Sequence, residues 1–231
     1  MTAHPVPTYG RPVTVELGTP AAWSSRDWHA GRDRAAHLEQ PDHRPRLEHT
    51  ARLVVELDVE LWRPAGPTVD TVIDLGAGDG GLLDHLARLR RPRLVAYGYD
   101  WTPANLAGAA ARGVDVFDAD IEALVAERAL VLEAPVAVGA AIVVLGEVLE
   151  HLASPAAVLV DLWAHDEVVA VVASSPWNET ADRYSEGHRW AWNLAAYRDL
   201  IDRTSPPDVA VRSHDTVGPF QIITAVKELT P

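Results

Sequence analysis

The sequence predicts an α/β fold in which a mostly parallel sheet is covered by helices. Three observations carry that expectation. From Thr71 onward, short apolar runs alternate with segments of helical spacing, the order that βαβ crossovers produce. The run Val168-Val169-Ala170-Val171-Val172-Ala173 is continuously apolar, which suits a strand buried on both faces. Val72-Ile73-Asp74-Leu75 leads through alternate glycines, Gly76, Gly78 and Gly80, straight into the helical run Gly81 to Leu86.

The elements follow in chain order. Residues 1–45 are rich in Pro, His and Arg, show no sustained period, and read as an irregular arm. A helix over 46–61 places Leu47, Leu53, Val54, Leu57 and Leu61 at helical spacing, and Pro64, Gly66 and Pro67 end it. Strands are predicted near 71–75, 94–99, 113–117, 139–145 and 167–173, with helices near 80–90, 103–111, 120–128 and 154–165 between them. A polar loop then runs to His188, followed by a helix near 192–203. Strands near 208–213 and 219–227 close the chain, joined by a turn at Val217-Gly218-Pro219. Residues 1–66 are thus expected to form an N-terminal arm and helix, and 67–231 the main domain.

Composition narrows the function. With 231 residues, 48% of them hydrophobic, the chain can bury a sizeable core. No apolar run is long enough to span a bilayer and no signal peptide is evident, so a cytoplasmic protein without membrane attachment is expected. There is no cysteine, so a metal site must use His and carboxylates. The formal net charge of −13 disfavours a polyanionic partner held by charge alone.

Glycines at 76, 78 and 80 let the backbone turn sharply and admit a ligand at contact distance, beside the free N–H groups of a helix start. The D-x-G-x-G-x-G spacing differs from the dinucleotide pattern, and Asp74 at the strand end would repel a pyrophosphate but not a cationic ligand. Asp100 ends the next strand, where a carboxylate can accept from both hydroxyls of a ribose, and Trp101 beside it can cover a base. As a bare structural feature, Asp100 would instead cap the helix that Thr102-Pro103 opens.

These residues resemble the first motifs of class I S-adenosylmethionine-dependent methyltransferases. The resemblance spans about residues 70–230 and implies a Rossmann-like, doubly wound, seven-stranded sheet whose last strand runs antiparallel. It implies S-adenosylmethionine as cofactor, with Asp74, Gly76, Gly78 and Gly80 at its amino-acid end and Asp100 on its ribose. It also implies an acid after the third strand for the adenine amino group. Asp120 with Ile121 fits that place; Asp118 is the rival, and a helix N-cap is the structural alternative.

Gly146-Glu147-Val148-Leu149-Glu150-His151 follows a central strand, and in a helical turn Glu147, Glu150 and His151 would share one face. Two functional readings stand. In one, Glu147, Glu150, His151 and a distal His188 ligate a divalent cation such as Mg, Mn or Zn. The E-x-x-E-H string resembles that of ubiquinone-pathway O-methyltransferases and small-RNA 2′-O-methyltransferases. In the other, His151 or His188 is a general base oriented by acids such as Glu147. A purely structural role is the third possibility.

Trp23, Trp28, His29, His37, His43 and His49, with Arg32, Arg34, Arg44 and Arg46 interleaved, mark the N-terminal segment as a lid over the cleft, as a Trp and Arg surface that stacks on nucleobases, or as a surface segment that packs on the core or on a second subunit. Trp177, Trp190 and Trp192 follow the fifth strand of the main domain, where an aromatic-walled acceptor pocket or plain core packing would use them. The expected activity is methyl transfer to an oxygen or nitrogen of a small molecule. A metal-dependent RNA 2′-O-methyltransferase and a non-catalytic module of the same fold are the rivals.

Overall fold

The computed structural model describes residues 11–17, 40–61, 69–89, 94–126, 139–185 and 187–228. Trp23, Trp28, His29, Arg32, Arg34 and His37 of the arm lie outside the described residues. The elements are β1 (Thr14–Glu16), α1 (His43–Glu60), β2 (Val69–Leu75), α2 (Gly81–Arg88), β3 (Val95–Asp100), α3 (Pro103–Arg112), β4 (Val116–Asp118) and α4 (Ile121–Ala126). They continue with β5 (Ala140–Gly146), a 3₁₀ turn (Leu149–His151), α5 (Pro155–Trp163), β6 (Val168–Pro176), β7 (Trp190–Trp192), α6 (Leu194–Thr204), β8 (Val209–Val217) and β9 (Phe220–Lys227).

Seven strands form one sheet in the order β4-β3-β2-β5-β6-β9-β8. The pairs from β4 to β6 are parallel, while β9 enters antiparallel to both β6 and β8. The expected α/β architecture is therefore the observed one.

The period-two alternation of a pleated strand sorts the core into two faces. Val143 and Leu145 of β5 join Ile73 and Leu75 of β2 on one side, against Leu159 and Leu162 of α5 and Tyr197 and Leu200 of α6. Ile142 and Val144 point the other way, with Val72, against Leu82 and Leu86 of α2 and Leu47, Val54 and Leu57 of α1. Helix α1 is thus built into the covering layer of the sheet. That burial decides where its one cleft-facing cation ends up.

The sheet reverses direction of growth between β2 and β5: β3 and β4 lie on one side of β2, and β5 and β6 on the other. Connections leave the carboxyl ends of β2 and β5 in opposite directions and open a crevice there. Asp74 pairs in register with Val144, and Gly146 with Ser174, so the ends of β2, β5 and β6 are level at that crevice.

Three differences from the predicted elements have local causes. Gly113 (φ 72°) ends α3 in a left-handed cap, so β4 begins three residues beyond it. Asn193 accepts a hydrogen bond from Ala196 N–H at 2.9 Å and starts α6 two residues later than periodicity suggests. The residues before it form β7, which pairs antiparallel with β1 of the arm, Thr14 opposite Trp192 and Glu16 opposite Trp190. No helix among the described residues is long and apolar enough to cross a membrane.

Leu145 is fully buried near the carboxyl end of β5. Leu145→Ala is expected to cost about 2–5 kcal/mol in urea unfolding; a loss below about 1 kcal/mol would place it outside a packed core.

Candidate active site

The turn after β2 is built on three left-handed glycines, Gly76 (φ 74°), Gly78 (φ 59°) and Gly80 (φ 75°). A Cβ on Gly76 would stand 2.4 Å from Val148 Cγ2, and one on Gly80 would stand 2.4 Å from Val114 Cγ2. Both conformation and space therefore demand glycine at these positions. Gly76 N–H and Ala77 N–H both donate to the Tyr99 carbonyl at 2.8 and 2.9 Å, which locks the turn to the end of β3.

Asp100 completes that lock. Its carboxylate accepts from Gly78 N–H at 3.0 Å, from Asn105 Nδ2 at 3.0 Å and from Thr102 N–H at 2.8 Å. These donors fix the buried carboxylate beside the glycine turn, so Asp100 ties turn and helix start together at the place predicted for ribose binding. Trp101 follows it, half-buried. Asp120, by contrast, is exposed, and its Oδ1 accepts from Glu122 N–H at 3.0 Å and Ala123 N–H at 3.3 Å, the geometry of a cap on α4. Ile121 is buried in the core beside Tyr99.

Asp74 is buried at the end of β2, and burial pushes its pKa up to about 7, with the Arg46 guanidinium opposing and the Asp100 charge adding to the rise. Arg46, from α1, is a group of the site that sequence reading placed only among the arginines of the N-terminal segment. It is 3% exposed, donates to Ser174 Oγ at 3.3 Å, approaches His43 Nδ1 at 3.4 Å, and lies 5.3 Å over the Phe220 ring. Its Nε finds no partner, nor does the buried Thr50 hydroxyl one helical turn later. A Cβ on Gly146 would meet Arg46 Nη1 at 2.8 Å, so the end of β5 must be glycine for the guanidinium to enter. The only sequence signal was an arginine and a threonine four residues apart on the apolar side of α1.

The Glu147–His151 segment departs from the expected helical turn. Glu147 adopts φ 62°, a left-handed conformation uncommon outside glycine, and only Leu149–His151 forms a single 3₁₀ turn. The carboxylate of Glu147 is thereby sent toward Ser174, whose hydroxyl donates to it at 3.1 Å, continuing the line from Arg46. Glu150 is instead fully buried, and neither of its oxygens finds a partner beyond the residue's own amide.

Glu150, His151 and His188 each offer a ligand atom within 4.8 Å of the others. That group contains three of the four residues expected from sequence at a metal, and Glu147 is not a member of it. The two imidazoles meet edge to face at 4.7 Å between centroids. His151 Nδ1 donates to the Gly187 carbonyl at 3.1 Å, and Arg189 N–H donates to the Glu150 carbonyl at 2.7 Å, so the loop after β6 is stitched over the 3₁₀ turn. Burial raises the pKa of Glu147 and raises that of Glu150 further, because Glu147 repels the second charge; Arg46 opposes both.

Trp190 and Trp192 stack nearly parallel, 6.4 Å between centroids, and Trp190 Nε1 donates to the Leu152 carbonyl at 2.8 Å. Both brace the wall behind the 3₁₀ turn, and Trp192 is fully buried core, whereas Trp177 is exposed.

A crevice at the carboxyl edge of a parallel sheet, with a glycine turn, a strand-end acid and a cluster of carboxylates and imidazoles, is where open α/β folds place their ligands. A sequence family described as a methyltransferase domain matches residues 26–211, and the chain belongs to it, within the class whose methyl donor is S-adenosylmethionine. No curated protein sequence matches the chain.

Solved structures share its fold. The small RNA methyltransferase HEN1 superposes with a TM-score of 0.61 at 19% identity, over 86% of this chain; the chain spans only 27% of HEN1. A Haloferax volcanii methyltransferase in complex with the activator Trm112 gives 0.55 at 15% identity, covering 90% of this chain and 97% of that one. Magnesium protoporphyrin IX methyltransferase from Synechocystis, with S-adenosylhomocysteine bound, gives 0.55 at 14%, covering 86% and 91%.

Arg46 keeps company with two buried carboxylates, Asp74 and Glu150, and the half-buried Glu147, and removing it strands them. Arg46→Met is expected to cost about 3 kcal/mol near pH 8, where those acids must ionise without a counter-charge. The cost shrinks toward pH 5, because each acid has a raised pKa and takes up a proton as the pH falls. Denaturation curves at the two pH values check this; a loss independent of pH would contradict it.

Proposed function

We propose that the chain transfers the methyl group of S-adenosylmethionine to an oxygen or nitrogen of a small-molecule acceptor, at the edge of the Glu150–His151–His188 cluster. The observation that carries this reading is the cradle formed by Asp74, Gly78 and Asp100 beside a group of proton-accepting side chains on the same crevice. Asp100 is the ribose acceptor, the glycine turn admits the methionine moiety, and Arg46 Nε, buried and unpartnered, suits its carboxylate. The buried Asp74 and the half-buried Glu147 suit its positive charges. Asp120 and Ile121 stand near the adenine end, with Trp101 at its edge.

The sulfonium supplies an already reactive methyl group, so the protein's task is alignment and proton removal. The acceptor lone pair forms the new bond to the methyl carbon as the carbon–sulfur bond breaks onto sulfur. His151 or His188 takes the acceptor's proton. A small acceptor is favoured over a polyanion by the net charge of −13 and by the density of acids at the site.

A second reading is supported by Glu150, whose two buried oxygens lack a donor and lie with His151 and His188 at ligand spacing. Those three residues would hold a divalent cation, with Glu147 next to it; its chemistry would be to polarise an acceptor hydroxyl and ease its deprotonation. An RNA 2′-hydroxyl acceptor belongs with this reading, in keeping with the fold shared with a small RNA methyltransferase. Activity surviving EDTA favours the first reading, and activity lost with EDTA the second.

Calorimetry with S-adenosylmethionine tests the cradle. Gly78→Arg is expected to abolish binding; unchanged affinity would overturn the assignment. A cationic ligand selects the ionised form of Asp74, so affinity should fall about tenfold per pH unit below about 7 and level off above it. Asp74→Asn should remove that dependence.

A further inference from the structure

We propose that Glu179 is the positioning residue of this site, fixing which nitrogen of His188 carries the proton. The inference rests on the reading of Glu150, His151 and His188 as the reacting cluster. Glu179 lies in the loop after β6, and nothing in its sequence surroundings singles it out. Its carboxylate is 9% exposed and is used twice: Oε1 accepts from Ser185 N–H at 2.7 Å, and Oε2 accepts from His188 Nδ1 at 2.7 Å. One side chain therefore closes the loop from 179 to 188 and grips the imidazole at its end.

The consequence is chemical. A carboxylate can only accept, so Nδ1 of His188 carries a ring hydrogen, and in the neutral form of the ring the lone pair is then on Nε2. His151 reaches the same state by another route, since its Nδ1 faces the Gly187 carbonyl, which also can only accept. In their neutral forms both imidazoles thus carry the hydrogen on the same nitrogen, Nδ1, and each is oriented by a partner on the same loop. The edge-to-face packing of the two rings holds that orientation. Glu179 also faces Glu147 and Glu150 across the site, so its charge works on the cluster that it orients.

Glutamine at 179 cannot do this. It offers one acceptor where the site has two donors, and the Ser185 amide proton is fixed. The amide oxygen of Gln will stay with Ser185 and turn its NH₂ toward His188, which moves the ring proton to Nε2 and removes the lone pair from the cluster.

The experiment is a long-range proton–nitrogen correlation spectrum of the isotope-labelled full chain, saturated with S-adenosylhomocysteine, at a pH where the ring is neutral. His188→Gln assigns the resonances. The wild type is expected to carry the proton on Nδ1, and Glu179→Gln to shift it to Nε2 while S-adenosylhomocysteine affinity is unchanged. Mn²⁺ titrated by calorimetry, with no acceptor, should bind Glu179→Gln about 10- to 100-fold more weakly than wild type. A wild-type ring protonated on Nε2, or the same pattern in wild type and variant, would overturn the positioning role. The wild-type spectrum decides this alone if the variant does not fold. Absence of Mn²⁺ binding to the wild type with the tautomer shift intact would remove the metal reading and leave the role of Glu179 supported.

Discussion

One buried guanidinium sets the terms for the whole crevice. Arg46 lies beneath the ends of β2, β5 and β6 with Asp74, Glu147 and Glu150 around it, and it opposes the rise in pKa that burial imposes on each. A buried charge in a low-dielectric setting is tolerated only when paired and hydrogen-bonded. Here Arg46 is shared among three acids, and His188 also opposes the rise at Glu147. Ionising all three acids would leave more negative than positive charge there, an imbalance of the kind that a bound cation relieves. A sulfonium, an ammonium group and a divalent metal all meet that description, so the same electrostatics serve cofactor and acceptor chemistry.

The fold explains how so many polar groups come to one place. The reversal of strand order at β2 and β5 makes the crevice, and the helix covering one side of it, α1, is what delivers Arg46. Glycine at 146 leaves room for the guanidinium, and the left-handed Glu147 that follows turns its acid toward Ser174. The next turn then buries Glu150 and presents His151 to the loop carrying Glu179 and His188. Site and scaffold share residues, and the strained Glu147 marks where packing yields to chemistry. The β1–β7 pair fastens the arm against the same loop, with Asn193 Oδ1 accepting from Val13 N–H at 3.1 Å and its Nδ2 donating to the Arg11 carbonyl at 2.9 Å.

Much of this was legible from sequence, for reasons that differ residue by residue. Asp74 to Gly80 was legible because strand, turn and helix are local, and the turn's backbone demands glycine whatever surrounds it. Asp100 was legible because it stands at a strand end one βαβ step away. Residue types at 147, 150, 151 and 188 were legible; their arrangement was not, since helical spacing supplied a shared face where the backbone breaks at φ 62°. Arg46 and Glu179 were illegible because their meaning lies in partners brought by the fold: Ser174 is 128 residues from Arg46, and Glu179 looks like any loop acid until His188 folds back on it. β1 and β7 are three residues each, too short for periodicity to register.

The central claim is that the donor's sulfur sits at the Asp74–Gly78 turn with its carboxylate toward Arg46. The chain has no cysteine and a single methionine, Met1, so sulfur is scarce in it. Anomalous diffraction from a crystal grown with S-adenosylhomocysteine would therefore locate the ligand sulfur almost without competition. The account predicts a peak above the ends of β2 and β5, between Gly78 and the Glu150–His151–His188 cluster. A peak elsewhere on the molecule, with that crevice filled by protein side chains, would contradict it.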